Sequence, residues 1–285
     1  MYRDKITLII QGPMHPNAMM MLKMHAENFD IIFSTWRNGE PDEEKIDSLL
    51  RNEKLTKILF NNIESVSAKN NDQNRFYQFY TAHKGVQLTD TEYVIKVRSD
   101  EYYTDLTAFA EKMLENPEKM VTNEIFFRNP FSNQFEDFAF HPSDHLYGCK
   151  REYLEKALKK CIEDCKELSL KELEVEFADL KNRDYVIVPE QHLFGNFVKE
   201  NFDIPLNEGK SKEDLHKILT DYAEIVPSSE LGFYCISYKL DAEHRTVYDF
   251  SPSETYFNAD KDLKKLNVSP SVSEREKYTY TGKKR

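Results

Sequence analysis

Asp100 closes the run YVIKVRSD, an apolar stretch ending in a cation, a hydroxyl and a carboxylate. A carboxylate directly after a buried strand is placed to hold a divalent cation, which can bridge the oxygens of a bound diphosphate. Arg98, Glu101 and Asp105 stand close to it, so an acidic cluster with a neighbouring cation would face a ligand. The same position suits the cap of a following helix, a role Asp favours, and both readings stay open. A second group, His141-Pro142-Ser143-Asp144-His145, joins one carboxylate to two imidazoles. Asp144 is the candidate general base for an attacking hydroxyl, with a turn or cap as its alternative. Glu190, in Pro189-Glu190-Gln191-His192, is a further catalytic candidate, although Pro-Glu also suits a helix start on dipole grounds alone. Asn74-Arg75 would place a guanidinium on a phosphate or simply open a solvated helix. Trp36, the only tryptophan, would stack on a base or cover the edge of the core.

These residues need a frame, and the chain alternates strand and helix signals. Ile6 to Ile10 is short, β-branched and stopped by Gly12-Pro13, which predicts a buried strand entering a loop. A helix follows over Pro16 to Phe29, a strand over Asp30 to Thr35, a helix from Pro41 and a strand from Lys57. Further helices are predicted over Asn74 to Leu88, Thr104 to Leu114 and Lys150 to about Lys166, with YVIKV from Tyr93 as a strand. The methionines from Met19 read as core filling. This order predicts a doubly wound α/β domain with a mostly parallel sheet covered on both faces. Ligands of such sheets bind beyond the carboxyl ends of the strands, which here are Gln11, Trp36, Asn61 and Asp100. After Phe126 an aromatic loop precedes the His141 to His145 group. SLKELEVEFADL reads as another amphipathic helix, VIV before Pro189 as a short strand leading into a helix, and GFYCISYKL from Gly232 as a late strand. Residues 1–260 form one predicted domain, and 261–285 are a polar, Lys-rich tail.

The 285-residue chain is 40% hydrophobic and 13% aromatic, enough to bury a full core. A net charge of -11 and a pI near 5.3 argue against nucleic acid as a partner, since phosphate neutralisation needs clustered Lys and Arg. There is no apolar run of about 18 residues, and the opening MYRDKITLIIQGP has no signal-like h-region, which predicts a cytoplasmic protein without a transmembrane segment. Peripheral contact with a membrane is left open. Four cysteines without a CxxC pair read as reduced thiols. Neither GxGxxG nor GxxxxGK[ST] occurs, which demotes dinucleotide and P-loop chemistry.

In order and spacing, LIIQGP, FSTW, NRFYQFYTAHKG, YVIKVRSD, HPSDHLYG and PEQHLF resemble the WavE family of lipopolysaccharide-synthesis proteins over about residues 5 to 200. The resemblance implies a glycosyltransferase of GT-A type, with a nucleotide-sugar donor, a glycan or glycolipid acceptor and a divalent metal, Mn2+ or Mg2+. RSD would stand where such enzymes carry a DxD motif. Arg98 takes the place of the first carboxylate, so Asp100 alone carries over as metal ligand, with Glu101 as a helper. Gln11, Gly12 and Pro13, Thr35 and Trp36, Asn74 and Arg75, and Arg98 with Ser99 would contact the donor. Asp144 would face the acceptor, and His244 is a weaker candidate for a late metal ligand. A base on the acceptor side implies inversion at the sugar carbon. The rival functions are a metal-dependent phosphoesterase and a non-catalytic carbohydrate-binding scaffold on the same fold.

Overall fold

The computed structural model describes residues 2–13, 16–37, 57–62, 67–124, 127, 141–180, 187–227 and 230–235. Its first half follows the alternation expected from sequence: β1 (Ile6–Gln11), α1 (Pro16–His25), β2 (Asp30–Arg37), β3 (Lys57–Asn62), α2 (Arg75–Gln87), β4 (Tyr93–Arg98). Then come β5 (Glu101–Tyr103), α3 (Thr107–Glu115), β6 (Met120–Asn123), β7 (Leu146–Lys150), α4 (Arg151–Glu167) and α5 (Leu170–Glu176). The last described elements are α6 (Pro189–Phe202), α7 (Lys212–Tyr222), β8 (Ala223–Val226) and β9 (Phe233–Cys235). Seven strands form one sheet in the order β3-β2-β1-β4-β7-β6-β8. Strands β3, β2, β1 and β4 run parallel, whereas β7 is antiparallel to both β4 and β6. A small second sheet pairs β5 with β9. This is an α/β, doubly wound arrangement with a mostly parallel sheet covered on both faces.

Strand alternation divides the core. Ile6, Leu8 and Ile10 point into one cluster with Met21, Leu22, Phe109 and Met113 of α1 and α3. Ile9 and Val94 point into the other, with residues of α2, α4 and α6. Both faces are therefore buried, which is why the strands read as nearly continuous apolar runs. Helix α4 shows the complementary pattern. Its buried residues Leu154, Ala157, Leu158, Cys161, Ile162 and Cys165 recur at three- and four-residue spacing, so one stripe faces the sheet. No helix among the described residues is long and apolar enough to cross a membrane.

Inside the contact of α4 with α6 lies a buried polar network. Asp164 accepts from His192 Nε2 at 3.0 Å, Asn196 Nδ2 at 2.9 Å and Lys160 Nζ at 2.6 Å. Burial opposes ionisation of Asp164, but the hydrogen bonds from His192 and Lys160 outweigh it and hold the carboxyl at about 2. Removing one member of such a network leaves buried charge or donors uncompensated, so Asp164→Ala is predicted to cost about 3–5 kcal/mol in urea denaturation. Because the folded value lies below the ordinary 3.8, the stabilisation is present above 3.8 and lost as pH falls through about 2. The advantage of wild type over Asp164→Asn should shrink by about 2 kcal/mol across that window. A pH-independent difference would remove the ionised network as its source.

Several expectations need correction. Helix α1 stops at His25 rather than Phe29, and α3 starts at Thr107 rather than Thr104. The strand expected at VIV does not form at Ile187 and Val188, where the Ile187 carbonyl is taken by the Arg75 side chain instead of a neighbouring strand. Strands β6, β7 and β8 were not foreseen. The late strand at β9 joins the small sheet, not the main one. Cys149, Cys161 and Cys165 are buried free thiols. The helix expected from Pro41, the aromatic loop at 128–140, His244 and the tail at 261–285 lie outside the described residues.

Candidate functional site

The strand order places a topological switch between β1 and β4, where the chain's connections diverge to opposite sides. Gly12 leaves β1 there and meets the turn at Ser99 and Asp100: Ser99 N donates to Gln11 O at 2.8 Å, and Gly12 N to Ser34 O at 3.1 Å. Gly12 has φ +132°, and a Cβ at this position would lie 2.4 Å from Ser99 Oγ. Gly12→Ala is therefore expected to destabilise the fold by about 1–3 kcal/mol, read as a shift in denaturation midpoint. Ser99→Ala should not rescue it, because the backbone strain survives loss of the hydroxyl. Around this turn, Thr35 Oγ1 and Ser99 Oγ are buried without hydrogen-bond partners among the described residues. Orphaned hydroxyls at strand ends are uncommon in an interior and fit a ligand that supplies the missing partner. Gln11 is less available, since its Nε2 donates to Thr81 Oγ1 at 2.9 Å. Pro13 is exposed at the rim.

Arg98 and Asp100 form a two-pronged pair: Nε donates to Oδ1 at 2.9 Å and Nη2 to Oδ2 at 2.8 Å. Burial alone would lower the guanidinium's affinity for its proton. The Asp100 hydrogen bonds and the nearby Glu101 charge reverse this and hold Arg98 above its ordinary range. Glu101 is fully buried. Its Oε1 meets His145 Nδ1, and its Oε2 accepts from Tyr103 OH at 3.0 Å, which in turn accepts from Asn123 Nδ2 at 3.1 Å. This chain of contacts ties β5, β6 and the start of β7 together. Antiparallel β7 brings residues 141–145 to the carboxyl end of β4, with Val97 opposite Leu146. Lys96 Nζ donates to the Asp144 backbone carbonyl at 2.7 Å and lies 4.9 Å from the Tyr147 ring centre. Burial, opposed mainly by Asp144, pushes the Lys96 ammonium down to about 8. The Asp144 side chain is buried beside these cations and makes no hydrogen bond to the described residues.

The structure thus brings Gly12, Thr35, Arg98, Ser99, Asp100 and Asp144 to one edge of the sheet. Glu190, at the start of α6, sits 4.0 Å from His141 Nε2, beside the same loop. Trp36 is half-buried, stacked on Tyr80 with centroids 5.7 Å apart and meeting Tyr77 edge-on at 5.2 Å. That aromatic group flanks the end of β2. Asn74 adopts φ 59° directly after Gln73 at φ 54°, a left-handed step unusual for such residues, just before α2. Arg75 departs from expectation. Its side chain has no exposure, its Nη2 donates to Ile187 O, and Asp72 Oδ2 lies 3.8 Å away, so as placed it spans α2 and the entry to α6 instead of presenting its fork to a phosphate. Asp105 also turns to the backbone, its Oδ1 accepting from Thr107 N at 2.7 Å in the turn that leads into α3. The cap weighed for Asp100 does not form, because β5 and not a helix follows it.

Among the described residues, no ligand set for a divalent cation gathers at Asp100. Both carboxylate oxygens accept from Arg98, both Glu101 oxygens are engaged, and no group of three His, Cys, Asp or Glu side chains is gathered for a metal among the described residues. Lys96 and the Glu101–His145 pair were missed from sequence. A lysine inside the apolar run YVIKV was the available signal for the first. The second depends on the β4–β7 pairing and left no local trace.

The family described as WavE lipopolysaccharide synthesis matches residues 6–217. No curated protein matches the chain. Among solved structures, the chain is similar to S. aureus TarS, with a TM-score of 0.41 and 11% identity, over 76% of this chain and 42% of that one. HddC from Yersinia pseudotuberculosis gives 0.34 at 13% identity, over 53% of this chain and 79% of its own. HddC complexed with GMP-PN gives 0.34 at 12% over the same shares. The chain therefore spans less than half the length of TarS.

Proposed function

Since the chain belongs to the WavE lipopolysaccharide-synthesis family, with 6–217 matched, we propose that it is a glycosyltransferase moving a sugar from a nucleoside diphosphate donor to a hydroxyl of a glycan or glycolipid. The observation that carries this reading is the Asp144 carboxylate, buried and without a hydrogen bond to the described residues, beside the Arg98–Asp100 pair at the switch point. The donor would lie across the ends of β1, β2 and β4. Its base would reach the Trp36 aromatic group, and its diphosphate would reach Arg98 and the orphaned hydroxyls of Thr35 and Ser99.

The acceptor oxygen attacks the anomeric carbon as its proton passes to Asp144, and the bond from that carbon to the phosphate oxygen breaks with its electron pair leaving on the diphosphate. A single displacement of this kind inverts the carbon. Arg98 stabilises the charge growing on the leaving group, an electrostatic contribution strengthened by a partly dry site. Lys96 holds the Asp144 backbone through its carbonyl and so orients the carboxylate. Glu190 and His141 border the acceptor side. The phosphoesterase alternative requires clustered metal ligands, whereas the carboxylates here are held singly by Arg98, His145 and Tyr103.

The test is incubation of the protein with a panel of nucleoside diphosphate sugars and glycolipid acceptors, with the product's anomeric configuration read by NMR. Transfer with inversion is expected. Retained configuration would remove Asp144 as the base, and release of free sugar phosphate or phosphate without transfer would point to hydrolysis instead.

A further inference from the structure

We infer that Arg98 performs the charge-neutralising task of a divalent cation in this site, so that the nucleoside diphosphate binds without metal. The inference rests on the glycosyltransferase reading and deepens it. Two carboxylates with a divalent cation between them carry no net charge; one guanidinium with one carboxylate carries none either. An arginine in place of the first carboxylate of a D-x-D pair shifts the site by two positive charges, the charge of the ion itself.

The geometry gives the same answer. Arg98 ends β4 and Asp100 sits in the turn that follows, where the two parallel hydrogen bonds at 2.9 and 2.8 Å lock Asp100 onto one edge of the guanidinium. Its Nη1 makes no hydrogen bond to the described residues, and the Arg98 side chain is 28% exposed, against 12% for Asp100. The pair thus turns donors outward and keeps the carboxylate beneath them. A cation approaching Asp100 would have to displace one or both of these charge-assisted bonds. Glu101 offers no alternative ligand, since it is fully buried and its oxygens serve His145 and Tyr103.

The experiment measures binding of UDP, GDP, ADP and CDP to the full chain by calorimetry, once with EDTA and once with Mn2+ or Mg2+. The nucleotide that binds is expected to show Kd values equal within about twofold in both conditions, the limit of what a non-participating cation should change. Arg98→Ala is expected to weaken it by roughly 10- to 100-fold in EDTA, the loss of a charged hydrogen-bond donor. Should that variant fail to fold, the wild-type comparison still decides. Binding that disappears in EDTA and returns with Mn2+ or Mg2+ overturns the inference but upholds the donor site. Undiminished binding by a folded Arg98→Ala also overturns it. Absence of binding by all four nucleotides in both conditions overturns the inference together with the glycosyltransferase reading.

Discussion

Asp144→Asn is expected to lower kcat by about two to four orders of magnitude, the usual contribution of a general base, while nucleotide Kd stays within about twofold. The substitution keeps side-chain volume and removes only the capacity to take a proton. The backbone carbonyl of residue 144 still receives the Lys96 hydrogen bond, so the loop should keep its place. Because the side chain makes no hydrogen bond to the described residues, the variant breaks no described side-chain contact. Glu190→Gln provides the contrast. Its carboxylate lies 4.0 Å from His141 and borders the same loop, so it is the other group able to accept the proton. A large loss in Glu190→Gln with an active Asp144→Asn would exchange the two assignments. Equal kcat in Asp144→Asn and wild type would remove Asp144 from the chemistry.

What the sequence made legible divides by the range of the interaction. The parallel half of the sheet was readable because β1, β2 and β4 are apolar runs buried on both faces and stopped by polar residues. Gln11, Trp36 and Asp100 thereby fall at the carboxyl edge from sequence alone. The Arg98–Asp100 pair forms across the turn at Ser99, which the run RSD did not announce. Strand β7 runs against its neighbours, and nothing in HLYGCK announces direction. Its reversal is what carries Asp144 and His145 to Asp100 and Glu101. Arg75 shows the opposite failure. An arginine at a helix start reads either as a phosphate contact or as a solvated helix start, and only tertiary packing shows the guanidinium closed in between α2 and Ile187.

Glu101→Ala is the substitution expected to cost the most stability near the site. A fully buried carboxylate that meets His145, accepts from Tyr103 and lies 3.6 Å from Arg98 Nε leaves three groups facing a void once it is removed. Breaking a buried network of this kind costs about 3–5 kcal/mol, which urea denaturation would read as a lowered midpoint at unchanged slope. The functional consequence follows from geometry. His145 adjoins Asp144, and Glu101 anchors it to β5, so loss of that anchor frees the proton acceptor to move. A misplacement of about 1 Å costs on the order of a hundredfold in rate, and kcat should fall by that order even at temperatures where the variant is fully folded. Glu101→Gln separates the two effects. The amide keeps the volume and an acceptor for Tyr103 but loses the charge facing Arg98 and His145, so it should retain most of the stability while kcat remains depressed. Full activity in folded Glu101→Gln would mean that the network supports the fold alone. A depressed kcat with KM for the donor unchanged would tie it to the placement of Asp144.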